Sequence, residues 1–168
     1  MSSHALAAPA TPSAPELEPW TRSEIYDGHV LFHREGLHVI QSLDGISPAG
    51  IAGTLVGASG MKWPSGPWCT DPAALDGGLQ LAAWWTHHVL GGASLPMALG
   101  ELRLYRQGLF DGPMRCVVHA RQVHSARSVC DISFIDSTGA LIAQMLDVES
   151  VLRPAEELTL SATVSIQS

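Results

Sequence analysis

Lysine is almost missing from this chain. Lys62 is the sole example, and with eight arginines it brings the basic count to 9 against 16 Asp+Glu, a formal net charge of −7 over 168 residues. The arginines are scattered rather than clustered, so a basic surface for nucleic acid or an anionic membrane is not expected. Cysteine is scarce and dispersed. Cys69, Cys116 and Cys130 form no CxxC and no metal-ligand spacing, which reads as reduced thiols inside a cell. No apolar run approaches the ~18 residues of a membrane span. The opening Met1-Ser2-Ser3-His4-Ala5-Leu6-Ala7-Ala8-Pro9 lacks the basic start and hydrophobic core of a secretory signal, so the cytoplasm is the expected compartment. There is no GxSxG elbow, P-loop or dinucleotide fingerprint, and Gly57-Ala58-Ser59-Gly60 has neither helix nor lysine placed to cradle a phosphate. His29 with His33 and the adjacent His87-His88 come without a carboxylate at a metal-site spacing, which favours packing or surface roles and no bound metal.

What is abundant is apolar character. Hydrophobic residues make up 46% of the chain and charged residues 15%, enough for one packed core. Residues 1–19 are rich in Ala, Pro and Ser and read as a flexible tail or linker. The segment 156–168, rich in Ser and Thr, reads as a C-terminal tail. A single domain is expected over 20–155.

One helix stands out. Asp71 suits an N-cap and Pro72 the first helical position, where its missing N–H costs nothing. The residues after Ala73 are apolar almost all round, including Trp84 and Trp85, and Gly91-Gly92 provides a stop. The helix should run over 72–89, about five turns. Strands are expected over 37–43, 51–56, 95–105, 114–123, 128–136 and 141–151, several with alternating polarity, and with a turn at Asp136-Ser137-Thr138-Gly139. One long buried helix and about six strands make an α+β domain in which an antiparallel sheet curls around the helix.

The helix carries an anomaly. In Leu75-Asp76-Gly77-Gly78-Leu79-Gln80 an acid and an amide lie four residues apart and share a face. A carboxylate in a buried helix is costly to desolvate unless partnered or kept protonated. Each glycine costs about 1 kcal/mol of helix propensity relative to alanine, so something must approach closely there, either a packed strand or a substrate. A protonated Asp76 between Leu75 and Leu79 could act as a general acid, with Gln80 orienting it. The plainer reading is a first-turn acid favoured by the helix dipole, with glycines that make room for the sheet.

Trp63-Pro64, Trp68 and then Asp71-Pro72-Ala73-Ala74-Leu75-Asp76-Gly77-Gly78-Leu79-Gln80 resemble the "W…DPALLDGALQ" stretch of the polyketide synthase dehydratase family. Val30-Leu31-Phe32-His33-Arg34-Glu35-Gly36-Leu37-His38-Val39-Ile40 is similar to that family's "LFHGPxFQxI", and Ser94-Leu95-Pro96-Met97-Ala98-Leu99-Gly100 to its "LPxxIG" strand. The resemblance spans about 25–154. It is to the C-terminal half of a double hot-dog dehydratase, of polyketide or polyunsaturated-fatty-acid synthase type, and implies a hot-dog fold. By that resemblance Asp76 is the catalytic acid and Gln80 its partner, while Leu75, Leu79, Trp68 and Pro72 line the substrate. No cofactor is implied. The substrate would be a 3-hydroxyacyl thioester on the phosphopantetheine of an acyl carrier protein, losing water.

Departures accompany the match. Arg34-Glu35 replaces the family's Gly-Pro, and Leu37-His38 its Phe-Gln. The family's basic histidine belongs to an HxxxGxxxxP motif in the other hot dog. His87, Gly91 and Pro96 fit that pattern in number only, because His87 lies about 16 Å along the same helix from Asp76. The base is then expected from a histidine-bearing partner half, either a second hot-dog domain or a second copy in a homodimer. Local histidines are the other source: His33 and His38 precede the helix, and His119 and His124 lie on a strand. The alternative is a non-catalytic module that binds acyl chains or scaffolds a synthase complex.

Overall fold

The computed structural model describes residues 5–22 and 24–154. The tail expected over 156–168 lies outside them. The chain forms β1 (Glu18–Pro19), a 3-10 turn (Glu35–Leu37), β2 (Ile40–Ser47), β3 (Gly50–Leu55), α1 (Pro72–Leu90), β4 (Ser94–Leu104), β5 (Met114–His124), β6 (Arg127–Ile135) and β7 (Leu141–Leu152). All neighbours pair antiparallel in one sheet ordered β1-β2-β3-β5-β6-β7-β4. The six expected strands are present, and β1 adds a seventh that two residues cannot announce by periodicity. The strand expected from residue 37 begins instead at Ile40, because Leu37 and His38 close a 3-10 turn with N–H bonds to the carbonyls of Arg34 and Glu35.

Helix α1 packs against every strand from β2 to β7. Its start is fixed by Asp71, which is fully buried and accepts N–H bonds from Ala74 at 3.0 Å, Ala58 at 3.0 Å and Phe110 at 3.1 Å. One carboxylate therefore caps the helix and pins two loops to it. Gly91, with φ 76°, ends the helix in the left-handed conformation. Gly77 and Gly78 are explained by the sheet. A Cβ at Gly77 would meet Val39 at 2.8 Å and Leu55 at 3.0 Å, and one at Gly78 would meet Phe134 at 2.5 Å and Ile132 at 3.0 Å. Two strand surfaces thus press on the helix backbone, and the close approach is packing rather than substrate. Leu81, Trp84 and Trp85 fill the centre. The two indole N–H groups donate to the carbonyls of Ile25 and Pro48, so these aromatics are buried with their donors satisfied.

Residues 5–17 of the Ala/Pro/Ser-rich segment lie outside the sheet, which the segment joins at β1. There Leu6 N–H bonds Leu104 O, the Thr11 hydroxyl bonds Gly139 O, the His119 ring donates to Ser13 O and the Ser47 hydroxyl bonds Glu16 O. Among the described residues no helix is long and apolar enough to cross a membrane. Strand β4 forms one edge of the sheet and stays open to solvent along most of its length, with Leu95, Met97, Leu99 and Leu102 exposed.

Candidate active site

Asp76 and Gln80 stand one turn apart on α1 and touch: Gln80 Nε2 donates to Asp76 Oδ2 at 2.7 Å. Gln80 is 1% exposed, and both its amide nitrogen and its amide oxygen are hydrogen-bonded. The same nitrogen donates to Leu37 O at 2.9 Å, and its Oε1 accepts the Tyr26 hydroxyl at 2.7 Å. Tyr26 in turn accepts the Ile40 N–H at 2.8 Å. The relay sets the amide's orientation. Because Tyr26 must donate to Oε1, the NH2 faces Asp76, and the carboxyl keeps Oδ1 for other chemistry. Burial pushes the Tyr26 hydroxyl up to about 12, and the nearby Asp76 charge adds to that rise while the Ile40 N–H opposes it. The hydroxyl therefore stays a donor at neutral pH.

The loop before β2 lies over this face of α1. Asp27 starts it by accepting the N–H groups of His29 and Val30. The loop then brings His33 to the acid, with His33 Nε2 3.9 Å from Asp76 Oδ2. His38 secures that approach from behind. Its ring stacks on Tyr26 at 3.8 Å and 7°, and its Nε2 donates to His33 O at 2.7 Å. The Trp63 indole N–H, bonded to Gly36 O, ties the 3-10 turn to the loop ahead of the helix.

Asp76, Gln80 and His33 line one cavity of about 550 Å³, within the size of small-molecule sites. Its walls are mainly apolar. They come from the loop (Val30, Leu31, Phe32, Leu37), the helix (Leu79, Ala83) and the start of β4 (Leu95, Pro96), with Arg34, Ser94 and Arg153 among its polar members. The Asp76 side chain retains 37% of its exposure and that of His33 29%. The carboxyl is therefore not sealed among leucines as the sequence suggested. Its helix face is left uncovered by the sheet and opens into the cavity.

Of the expected substrate-lining residues, Leu79 lines the cavity. Leu75, about 100° round the helix from Asp76, packs against the core. Pro72 and Trp68 are not among the lining residues. Trp68 is 44% exposed and its indole N–H donates to Pro64 O. His87 and His88 line a separate cleft with Glu18, Trp20 and Trp84. Burial, reinforced by Arg22, holds the His87 imidazole below its ordinary value despite its place at the helix C-terminus. Sequence reasoning missed Tyr26, which carries no local signal, and gave His33 no more weight than His38.

A family model described as polyketide synthase dehydratase N-terminal domain matches residues 27–159. No curated protein sequence matches the chain. Among solved structures, a dehydratase from a type I polyketide synthase is 16% identical, with a TM-score of 0.65 over 86% of this chain and 55% of that one. The dehydratase domain from the CurH module of the curacin polyketide synthase is also 16% identical, with a TM-score of 0.62 over 88% of this chain and 56% of its own. A chain of the dehydratase heterocomplex ApeI:P from Xenorhabdus doucetiae is 9% identical, with a TM-score of 0.57 over 80% of this chain and 95% of that one. These likenesses show the hot-dog fold. The chain spans little more than half of the two polyketide synthase dehydratase structures.

Proposed function

Because the chain belongs to the polyketide synthase dehydratase family, we propose that its cavity removes water from a 3-hydroxyacyl thioester presented on the phosphopantetheine arm of an acyl carrier protein. Elimination needs a proton delivered to the leaving hydroxyl and a proton taken from the carbon next to the thioester carbonyl. Asp76 is the donor. The observation that carries this reading is a carboxyl group in an apolar cavity, held by a buried amide whose own orientation is locked by Tyr26. Gln80 is a positioning residue: its N–H on Oδ2 leaves Oδ1 to carry the proton. The apolar walls suit an acyl chain and a thioester, and they reduce competition from water.

We assign the chain to the acid-bearing half of a double hot dog, on the Asp76–Gln80 spacing within α1, although the matching family model describes the N-terminal domain. The β4 edge supports a partner. An eleven-residue edge strand showing Leu95, Met97, Leu99 and Leu102 offers unpaired backbone groups and apolar side chains that a second hot-dog unit would cover. That unit is another domain, another chain or a second copy of this one. One of the structural neighbours is a chain of a dehydratase heterocomplex.

The test is direct. Purified protein, alone and with a candidate histidine-bearing partner, is mixed with 3-hydroxyacyl carrier protein, and the acyl arm is weighed by mass spectrometry. Loss of one water is expected. Binding of the acyl arm without loss of water under either condition would leave the acyl-binding module as the reading, and absence of both would leave the scaffold.

A further inference from the structure

We infer that the base of this reaction is His33, so that acid and base sit in the same cavity of one chain. The inference rests on the dehydratase reading above and deepens it. Among the described residues, His33 is the histidine that lines the Asp76 cavity. His87 and His88 border another cleft, His29 a third, and the rings of His38 and His119 are engaged with backbone carbonyls. His33 Nδ1 is buried and has no hydrogen-bond partner among the described residues. Nε2 is the ring nitrogen that reaches Asp76 Oδ2, at 3.9 Å, and is left to meet a substrate.

The two groups are positioned together. Tyr26 bonds Gln80, which holds Asp76, and Tyr26 also stacks on His38, which holds the backbone of His33. One aromatic side chain thus sets the spacing of acid and base. The loop that carries His33 differs from the family pattern immediately after it, with Arg34-Glu35 in place of Gly-Pro, and this sequence forms the 3-10 turn that closes the loop over the helix.

The proton balance closes within the pair. Neutral His33 takes the proton from Cα through Nε2. The Cα–H electron pair forms the C=C bond, the Cβ–O bond breaks, and the departing hydroxyl takes the proton from Asp76 to leave as water. The site is left with imidazolium beside carboxylate, and one proton passed from Nε2 to Asp76 restores both groups. With acid and base on one wall, the hydrogen and the hydroxyl depart from the same side of the acyl chain.

Three preparations of the full chain test this: His33→Gln, Asp76→Asn and an equimolar mixture of the two. His33→Asn serves as a second variant should glutamine disturb the loop. The first readout is enoyl product from a 3-hydroxybutyryl-pantetheine thioester. The second is deuterium uptake from heavy water at Cα of butyryl-pantetheine, which has no hydroxyl to lose. Each single variant should lose about 100-fold or more in product, the mixture should recover none, and deuterium uptake should vanish in the His33 variants while persisting in Asp76→Asn. Wild-type product formation by both His33 variants overturns the assignment. Recovery in the mixture also overturns it, because acid and base would then come from different chains. A wild type that exchanges the Cα proton through His33 without forming product would sink the dehydratase reading and leave the base in place. A wild type that neither exchanges nor dehydrates on its own would sink the assignment of His33, and one that also fails with a histidine-bearing partner would sink the dehydratase reading as well.

Discussion

Replacing Tyr26 by phenylalanine removes one oxygen atom and strands two buried groups. The Ile40 N–H loses its 2.8 Å acceptor, and Gln80 Oε1 loses its 2.7 Å donor. Ile40 is 5% exposed and Gln80 1%, so neither is readily rescued by solvent. Each buried group left unsatisfied costs about 1–3 kcal/mol, which for two groups predicts a total loss of about 2–6 kcal/mol. For a domain of this size, with about 2–4 °C per kcal/mol, the midpoint should fall by roughly 4–24 °C. The same substitution should change the alkaline limb. Tyr26 ionises at about 12 in the fold against 10.0 when unperturbed. A raised folded value favours the protonated fold, so its contribution is complete below pH 10 and is lost as pH climbs towards about 12. Urea melts of wild type and variant across that interval are the assay, and the gap between the two curves should narrow with rising pH. Activity should fall with stability, since Gln80 is free to turn its carbonyl towards Asp76. A variant within about 0.5 kcal/mol of wild type, or a gap independent of pH, would refute the relay as the feature that orders this site.

Three further expectations follow from the packing. Asp71→Ala removes a helix cap and strands the N–H groups of Ala58 and Phe110, so it should cost about 3–5 kcal/mol by chemical denaturation, beyond the ~1 kcal/mol of an ordinary cap. Gly78→Ala places a methyl group 2.5 Å from the Phe134 ring; overpacking of about 1–3 kcal/mol should outweigh the ~1 kcal/mol gain in helix propensity and lower the midpoint, where an exposed helix glycine would raise it. Burial pushes the Cys130 thiol up to about 12 and the Cys116 thiol higher still, whereas Cys69 is exposed. A thiol reagent should therefore label Cys69 alone in the native protein at neutral pH, and all three cysteines after denaturation.

The parts of this fold that sequence revealed are those governed by local rules. Asp71-Pro72 and Gly91 mark the ends of α1 because capping is a contact between near neighbours, and the observed Pro72–Leu90 lies within a residue of the expected 72–89. Alternation marks the first part of β6, where buried and more exposed residues take turns over 127–132, while the last four residues of β6 and the first five of β7 are all buried. The double glycine signalled a close approach without saying what approached, since Leu55, Ile132 and Phe134 come from strands, and Val39 from the residue before β2, whose placement is not local information. The site was half legible. Asp76 and Gln80 meet through helix periodicity alone. His33 and Tyr26 arrive through a 3-10 turn and a loop whose path depends on Leu37 and Gly36 meeting Gln80 and Trp63 far along the chain, and on His38 bonding the backbone of His33. Leu75 is next to Asp76 in the chain, but adjacency on a helix turns a side chain away, and Leu79 at i+3 shares the cavity.

The measurement that bears most directly on the central claim is the rate of water loss from a 3-hydroxyacyl thioester by wild type and by Asp76→Asn, compared at equal folded concentration. Asparagine keeps the shape of the side chain and cannot donate an acidic proton. The account predicts a fall of about 100-fold or more in kcat, with both proteins melting at similar temperatures. Equal rates would contradict it.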